Sequence, residues 1–266
     1  MMYDLEKLHN DIILKYNEVF FKTNNLDWAI FMNDGFMPLD SDGYPTTSNF
    51  PKLEGVHLMW KYQCYLYTEL LNQSNLDLSQ PLGNLLDIGC GRGGGCSVYE
   101  KYFNFDYVVG VDLNPNQIEF CKRVHSNIQF DQGSAMMLPY DADSFNIVTN
   151  VESGNYYVDY EKFVIGLNKI IKVGGLFLCA DTGGQERVDF INDIYPKFGF
   201  KVIKHTNITK NVAASCSIEK YRMLQHDKLL ADVMMYDEER YFLYRRNPNV
   251  KHEDYHIFVI EKQETI

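Results

Sequence analysis

Apolar positions along the chain first follow a helical rhythm. Between Asp4 and Asn24, Leu5, Leu8, Ile12, Tyr16, Val19 and Phe20 form one amphipathic stripe. Between Gly55 and Gln73, Val56, Met59, Trp60, Tyr67, Leu70 and Leu71 form a second. The stretch from Asn24 to Phe50 is rich in turn residues (Asp34-Gly35, Asp42-Gly43, Pro38, Pro45) and reads as a loop over the body. It also holds Trp28, Phe31, Met32, Phe36 and Met37, a large apolar load for a solvated loop.

After Pro81 the rhythm changes, and short apolar runs alternate with helical patterns. Strands are predicted at 85–88, 107–112, 128–130, 145–151, 176–180, 200–208 and 255–260. Asn114 and Pro115, with Gln117 at the third helical position, mark a helix start. Asp159 caps another helix running through Phe163, Leu167, Ile170 and Ile171. The pattern predicts an α/β fold: a seven-stranded, mostly parallel sheet flanked by helices, with right-handed crossovers. Residues 1–80 read as an N-terminal helical cap. Residues 81–266 read as the sheet domain, with a helical insertion at about 210–236 before the last strand.

Apolar residues make up 45% of the chain, enough for a sizeable core. The net charge of −11 and pI near 5.1 argue against nucleic acid as a partner. No run of 18 apolar residues occurs, so no membrane-inserted segment is expected, and the polar start lacks a signal peptide's apolar core. Six scattered cysteines without a CxxC pair fit a reducing cytoplasm. A homodimer is left open.

Gly89-Cys90-Gly91-Arg92-Gly93-Gly94-Gly95 directly follows the first strand and opens a helix. A ligand pressed against the backbone at such a turn excludes Cβ atoms, and the helix start offers free N–H groups. The spacing satisfies both the dinucleotide fingerprint and the methyltransferase glycine pattern. Asp112, twenty-five residues after Asp87, suits ribose hydroxyls of either ligand. Asp87, inside the strand, suits a cationic tail such as an amino acid's ammonium rather than a pyrophosphate.

Taken together, Leu85–Gly93, Gly110–Ile118, Gly133–Tyr140, Ser144–Val148 and Ile171–Gly175 resemble the ordered motif blocks of class I S-adenosylmethionine-dependent methyltransferases. Gly91–Gly95, Asp112-Leu113-Asn114, Phe120–His125 and Asn150-Val151-Glu152 resemble more closely the phthiotriol/phenolphthiotriol dimycocerosates methyltransferases and related fatty-acid and polyketide O-methyltransferases. The resemblance implies a Rossmann-like fold, S-adenosylmethionine as cofactor, and methyl transfer to a small or lipid-like apolar acceptor at a hydroxyl. It implies cofactor contacts at Asp87, Gly89, Gly91, Gly93, Asp112, Leu113, Gln117, Ser134, Ala135 and Asn150. Two departures stand out: Ser134 occupies a position often Asp, and Asn155 one where the close relatives carry a His.

An alcohol acceptor must lose a proton, and the carboxyl ends of the strands are where candidates for that task should lie. Glu152, His57 and Tyr156 are the catalytic candidates, each with a plainer reading as loop anchor, packing residue or core aromatic. No His, Cys or acid cluster shows metal-ligand spacing, so no metal is expected. Carbon or nitrogen methylation, a non-methylating cyclase or sensor that keeps the cofactor, and a nicotinamide-dependent dehydrogenase are the alternatives.

Overall fold

The computed structural model describes residues 26–226 and 254–266. The apolar runs after Pro81 become the centre of the sheet: β1 (Asn84–Ile88), β2 (Tyr107–Asp112), β3 (Gln129–Gln132), β4 (Phe145–Val151) and β5 (Ile171–Gly183) are mutually parallel. β6 (Phe200–Asn207) lies at one edge, and β7 (Asp254–Lys262) inserts between it and β5, antiparallel to both. The resulting order is β3-β2-β1-β4-β5-β7-β6. The direction of strand progression reverses between β1 and β4. In open α/β sheets that switch point, at the carboxyl ends of the strands, is where ligands bind.

The helices follow from local chemistry. α1 (Val56–Met59) and α2 (Lys61–Gln73) meet at a bend on Trp60. α3 (Gly94–Tyr102) opens on the glycine loop. α4 (Pro115–Val124) starts as its sequence requires, with the Asn114 side chain accepting the Asn116 N–H and Pro115 in the first turn. α5 (Tyr160–Ile170) is capped by Asp159, which accepts the Lys162 N–H. α6 (Gln185–Lys197) was not among the predicted helices, although Val188, Ile191, Ile194 and Tyr195 give it a buried face. α7 (Thr209–His226) occupies the expected insertion as far as it is described. The predicted helix over 4–24 and the insertion beyond 226 lie outside the described residues.

β5 begins earlier than expected. Ile171 pairs with Phe145, the ladder is irregular through the glycines, where Gly174 has φ +78°, and regular pairing resumes at Leu176 with Ile147. Ile171 pairs here where a helix end leading into a glycine turn is expected.

Two hydrophobic layers enclose the sheet. On one side Trp60, Leu66 and Leu70 share a core with Leu85, Ile118, Ile147 and Leu178. On the other, Phe163, Leu167 and Ile191 pack on Leu86, Val148 and Phe177. α2 is thus a member of the sheet's own helical layer, and the apolar core runs unbroken across the expected 80/81 boundary. Burial of this kind supplies the main favourable contribution to folding, about 25 cal/mol per Å² of apolar surface.

The turn-rich segment before α1 behaves as its apolar residues demand. Ala29, Ile30, Phe31, Phe36 and Met37 are buried, so residues 28–37 form a strap pressed onto the body. The Arg92 guanidinium donates to the Ala29 and Leu26 carbonyls, and the Trp60 indole donates to the Trp28 carbonyl at 2.7 Å. At its far end, Met37 exchanges two hydrogen bonds with Asn211 of α7, and the Ser215 hydroxyl donates to the Asp34 carbonyl.

Candidate active site

A cavity opens at the switch point, between the carboxyl ends of β1, β2 and β4 and the underside of the strap. Its floor is the glycine turn. Gly89 and Gly91 have φ of +72° and +52°, backbone that favours glycine, and both line the cavity. A Cβ on Gly91 would sit 3.5 Å from the Met32 sulfur of the strap, so the floor and roof are already close there. A Cβ on Gly89 would overlap the Ser153 hydroxyl.

Asp112 closes one end. Its Oδ2 accepts the Gly91 N–H at 2.9 Å and its Oδ1 the Asn114 N–H at 2.8 Å, so one carboxyl ties the glycine turn to the start of α4. Burial raises its pKa from 3.8 to about 7. Leu113, Gln117, Ser134 and Ala135 line the same end. Gln117 is 1% exposed and its Oε1 has no hydrogen-bond partner, a buried acceptor facing ligand space.

Glu152 closes the other end together with Ser153, Tyr156 and Tyr157. Its backbone is left-handed, φ +53°, immediately after β4. Oε1 accepts the Asp34 N–H at 2.8 Å and the Tyr255 hydroxyl at 2.6 Å, which leaves the other carboxyl oxygen for a ligand. Burial, and then the Asp34 carboxylate nearby, push its pKa well above the ordinary 4.5. Asn33 and Tyr67, which the sequence did not single out, line this end too. Their only sequence signal was an Asn-Asp-Gly turn amid large apolar residues and a tyrosine on the buried face of a helix.

Four expected site residues lie elsewhere. Asp87 is 1% exposed but does not line the cavity: Oδ1 accepts the Thr149 hydroxyl at 2.8 Å and Oδ2 faces the Cys96 thiol. Its position mid-strand points the side chain into the helical layer instead of past the strand end, and burial raises its pKa to about 8. Gly93 lies beyond the floor, where a Cβ would strike His125 and Phe130; it is needed for packing. Asn150 braces the loop after β4, donating to the Ile88 carbonyl at 2.7 Å and to Tyr157 and Ser153. His57 is buried between the Ser97 hydroxyl at 2.9 Å and the Tyr102 hydroxyl at 3.1 Å, away from the cavity. Burial lowers its pKa to about 4, and its two ring nitrogens face those hydroxyls instead of the cavity, a geometry that does not favour the expected role as base. Asn155, at the position where a His was expected, donates to the Asp181 carboxylate and the Thr182 carbonyl, each at 2.8 Å.

Residues 86–179, from β1 into β5, match the family model described as a methyltransferase domain. Among curated proteins the chain is similar to the fatty-acid O-methyltransferase of Mycolicibacterium smegmatis, 30% identical over 158 residues, which is 59% of this chain and 54% of that protein. It is also similar to the phthiotriol/phenolphthiotriol dimycocerosates methyltransferase of Mycobacterium leprae, 31% identical over 48% of each chain. The chain thus spans about half the length of the curated relatives it matches. Among solved structures, geranyl diphosphate C-methyltransferase from Streptomyces coelicolor superposes with a TM-score of 0.64 over 97% of this chain and 98% of that one. At 17% identity, that likeness establishes the fold.

Proposed function

We propose that this chain is an S-adenosylmethionine-dependent methyltransferase acting on the oxygen of a small or lipid-like apolar acceptor. The observation that carries the reading is the Asp112–Gly91 junction beside the unpartnered Gln117 Oε1, at the carboxyl end of β2. A nucleoside fits those groups. Its ribose hydroxyls supply donors for Asp112 and Gln117, Leu113, Ser134 and Ala135 flank its base, and Gly89 and Gly91 admit its close approach. When bound, S-adenosylmethionine supplies a methyl group on a sulfonium, poised for in-line displacement.

The protein's own residues have three tasks: alignment, exclusion of water and custody of one proton. Ile30 and Met32 of the strap, with Met136 and Val151, give the cavity apolar walls. That lining, and the names of the two curated relatives, support an apolar acceptor. Glu152 is the proton acceptor of this reading: its carboxyl is pinned through Oε1, and its raised pKa makes the ionised form a stronger base than an exposed glutamate. Tyr156 lines the wall beside it and orients the acceptor hydroxyl. No histidine lines the cavity among the described residues, so an acceptor that surrenders no proton before attack, a carbon or amine nucleophile, is the second reading.

The test is transfer of labelled methyl from S-adenosylmethionine to a panel of long-chain acids, alcohols and phenols, with amines and alkenes as the second arm. Label in an ether or ester product supports the proposal. Label only in the second arm shifts the acceptor atom, and tight S-adenosylhomocysteine binding with no transfer overturns it in favour of a cyclase or sensor.

A further inference from the structure

Asn33 is 4% exposed and lines the cavity; its Nδ2 faces the Tyr67 hydroxyl without closing a hydrogen bond of ordinary geometry. The amide is not free to turn. Its Oδ1 accepts the Gly35 N–H at 2.8 Å, which fixes the oxygen toward the strap and leaves the N–H groups for the cavity. A buried donor held in this way is costly to leave unpaired.

The course of the strap sets where along the cavity that donor stands. The Ile30 carbonyl lies over Gly94, at the start of α3; the Met32 sulfur lies over Gly91 and receives the Gln117 amide at 3.8 Å; the Asp34 N–H reaches Glu152. The strap therefore runs from the glycine turn to the end of β4. Asn33 sits past Met32, at the end opposite Asp112. A nucleoside anchored by its sugar at Asp112 must send its amino-acid tail along the strap toward this end.

That tail carries an ammonium and a carboxylate. Asp87, the expected partner of the ammonium, is spent on Thr149 and Cys96. Arg92, the cation on the cavity wall, directs its guanidinium to the Ala29 and Leu26 carbonyls and lies 3.6 Å from the Phe120 ring. Among the described lining residues at this end, Asn33 offers a fixed N–H, with the Tyr67 hydroxyl beside it.

We propose that Asn33 receives the carboxylate at the amino-acid end of the cofactor, with Tyr67 beside it as second donor. The assignment rests on the function proposed above and deepens it, placing the tail on the strap in place of the strand carboxylate Asp87.

Asn33→Asp tests it, because the new side chain keeps an oxygen for the Gly35 N–H and replaces the cavity-facing donor with an acceptor that carries negative charge. Calorimetric titration of wild type and variant uses S-adenosylhomocysteine and 5′-methylthioadenosine, which lacks the amino-acid tail. The expected result is a loss of S-adenosylhomocysteine affinity of about tenfold or more, with 5′-methylthioadenosine affinity and thermal midpoint unchanged. Equal losses for both ligands, no loss for either, or tighter S-adenosylhomocysteine binding (an ammonium partner) would overturn the assignment while leaving the functional reading intact. Wild type that binds neither nucleoside defeats the functional reading itself.

Discussion

Glu152 and the backbone N–H of Asp34 stand 118 residues apart in sequence and meet at 2.8 Å over the cavity. One carboxyl oxygen thereby joins the strap, the end of β4 and, through the Tyr255 hydroxyl, β7. The left-handed backbone of Glu152, unusual for a residue with a Cβ, is held by these contacts and aims the carboxyl into the site.

Glu152→Gln retains an acceptor for both donors and should leave the thermal midpoint nearly unchanged while lowering kcat about 100-fold, the contribution of a positioned base. Glu152→Ala leaves the Asp34 N–H and Tyr255 hydroxyl unpaired, and should cost about 1–3 kcal/mol in urea denaturation as well. Full activity in the glutamine variant would remove Glu152 from proton transfer.

Asp87 and Asp112 should separate cleanly. Asp112→Asn sets an amide where two backbone N–H groups need an acceptor, and S-adenosylhomocysteine affinity should fall about tenfold or more by calorimetry. Asp87→Asn, away from the cavity, should change that affinity less than about twofold. The Asp87 variant should also alter the pH response. Its folded pKa of about 8 stands above the ordinary 3.8, so its contribution to stability is full below about pH 4 and is lost as pH rises through 8. Between those limits the wild-type denaturation midpoint should fall more steeply with pH than that of the variant.

His57 gives the opposite sign. Its folded pKa of about 4 lies below the ordinary 6.5, so its contribution is complete above pH 6.5 and is lost as pH falls toward 4. His57→Gln should flatten that acid limb, cost about 1–3 kcal/mol because Ser97 and Tyr102 lose a partner, and leave kcat within about twofold. A collapse of kcat in a stably folded variant would return His57 to the chemistry.

Gly89→Ala should be among the most damaging single methyl additions. The new Cβ would overlap the Ser153 hydroxyl from a backbone with φ +72°. Circular dichroism melting together with nucleoside titration should show both lost stability and lost binding; removing the obstruction in Gly89→Ala/Ser153→Gly should recover part of each. No recovery in the double variant would assign the damage to backbone strain alone.

Much of this organisation was written locally. The Asn114-Pro115 start of α4, the Asp159 cap of α5 and the apolar runs of β1, β2 and β4 each depend on neighbours a few residues away, and they appear where the pattern put them. α6 escapes the pattern because its Val188–Tyr195 stripe is short, follows two glycines and is followed at once by Pro196 inside the helix. The start of β5 differs from the expected one because Ile171 fits a strand as readily as a helix end, and only its pairing with Phe145 decides between them.

The amino-acid order alone determined the alternating scaffold, the glycine turn after Ile88 and the acid closing β2, because caps, turns and alternation act over a few residues. Tertiary structure decided which of the plausible chemical groups meet in the cavity. It turned Asp87 and His57 inward and brought Asn33 to the cavity wall, and it lowered the strap onto the end of β4. Those outcomes depend on the direction each side chain takes from its strand or helix, and on contacts across more than a hundred residues that no local spacing encodes.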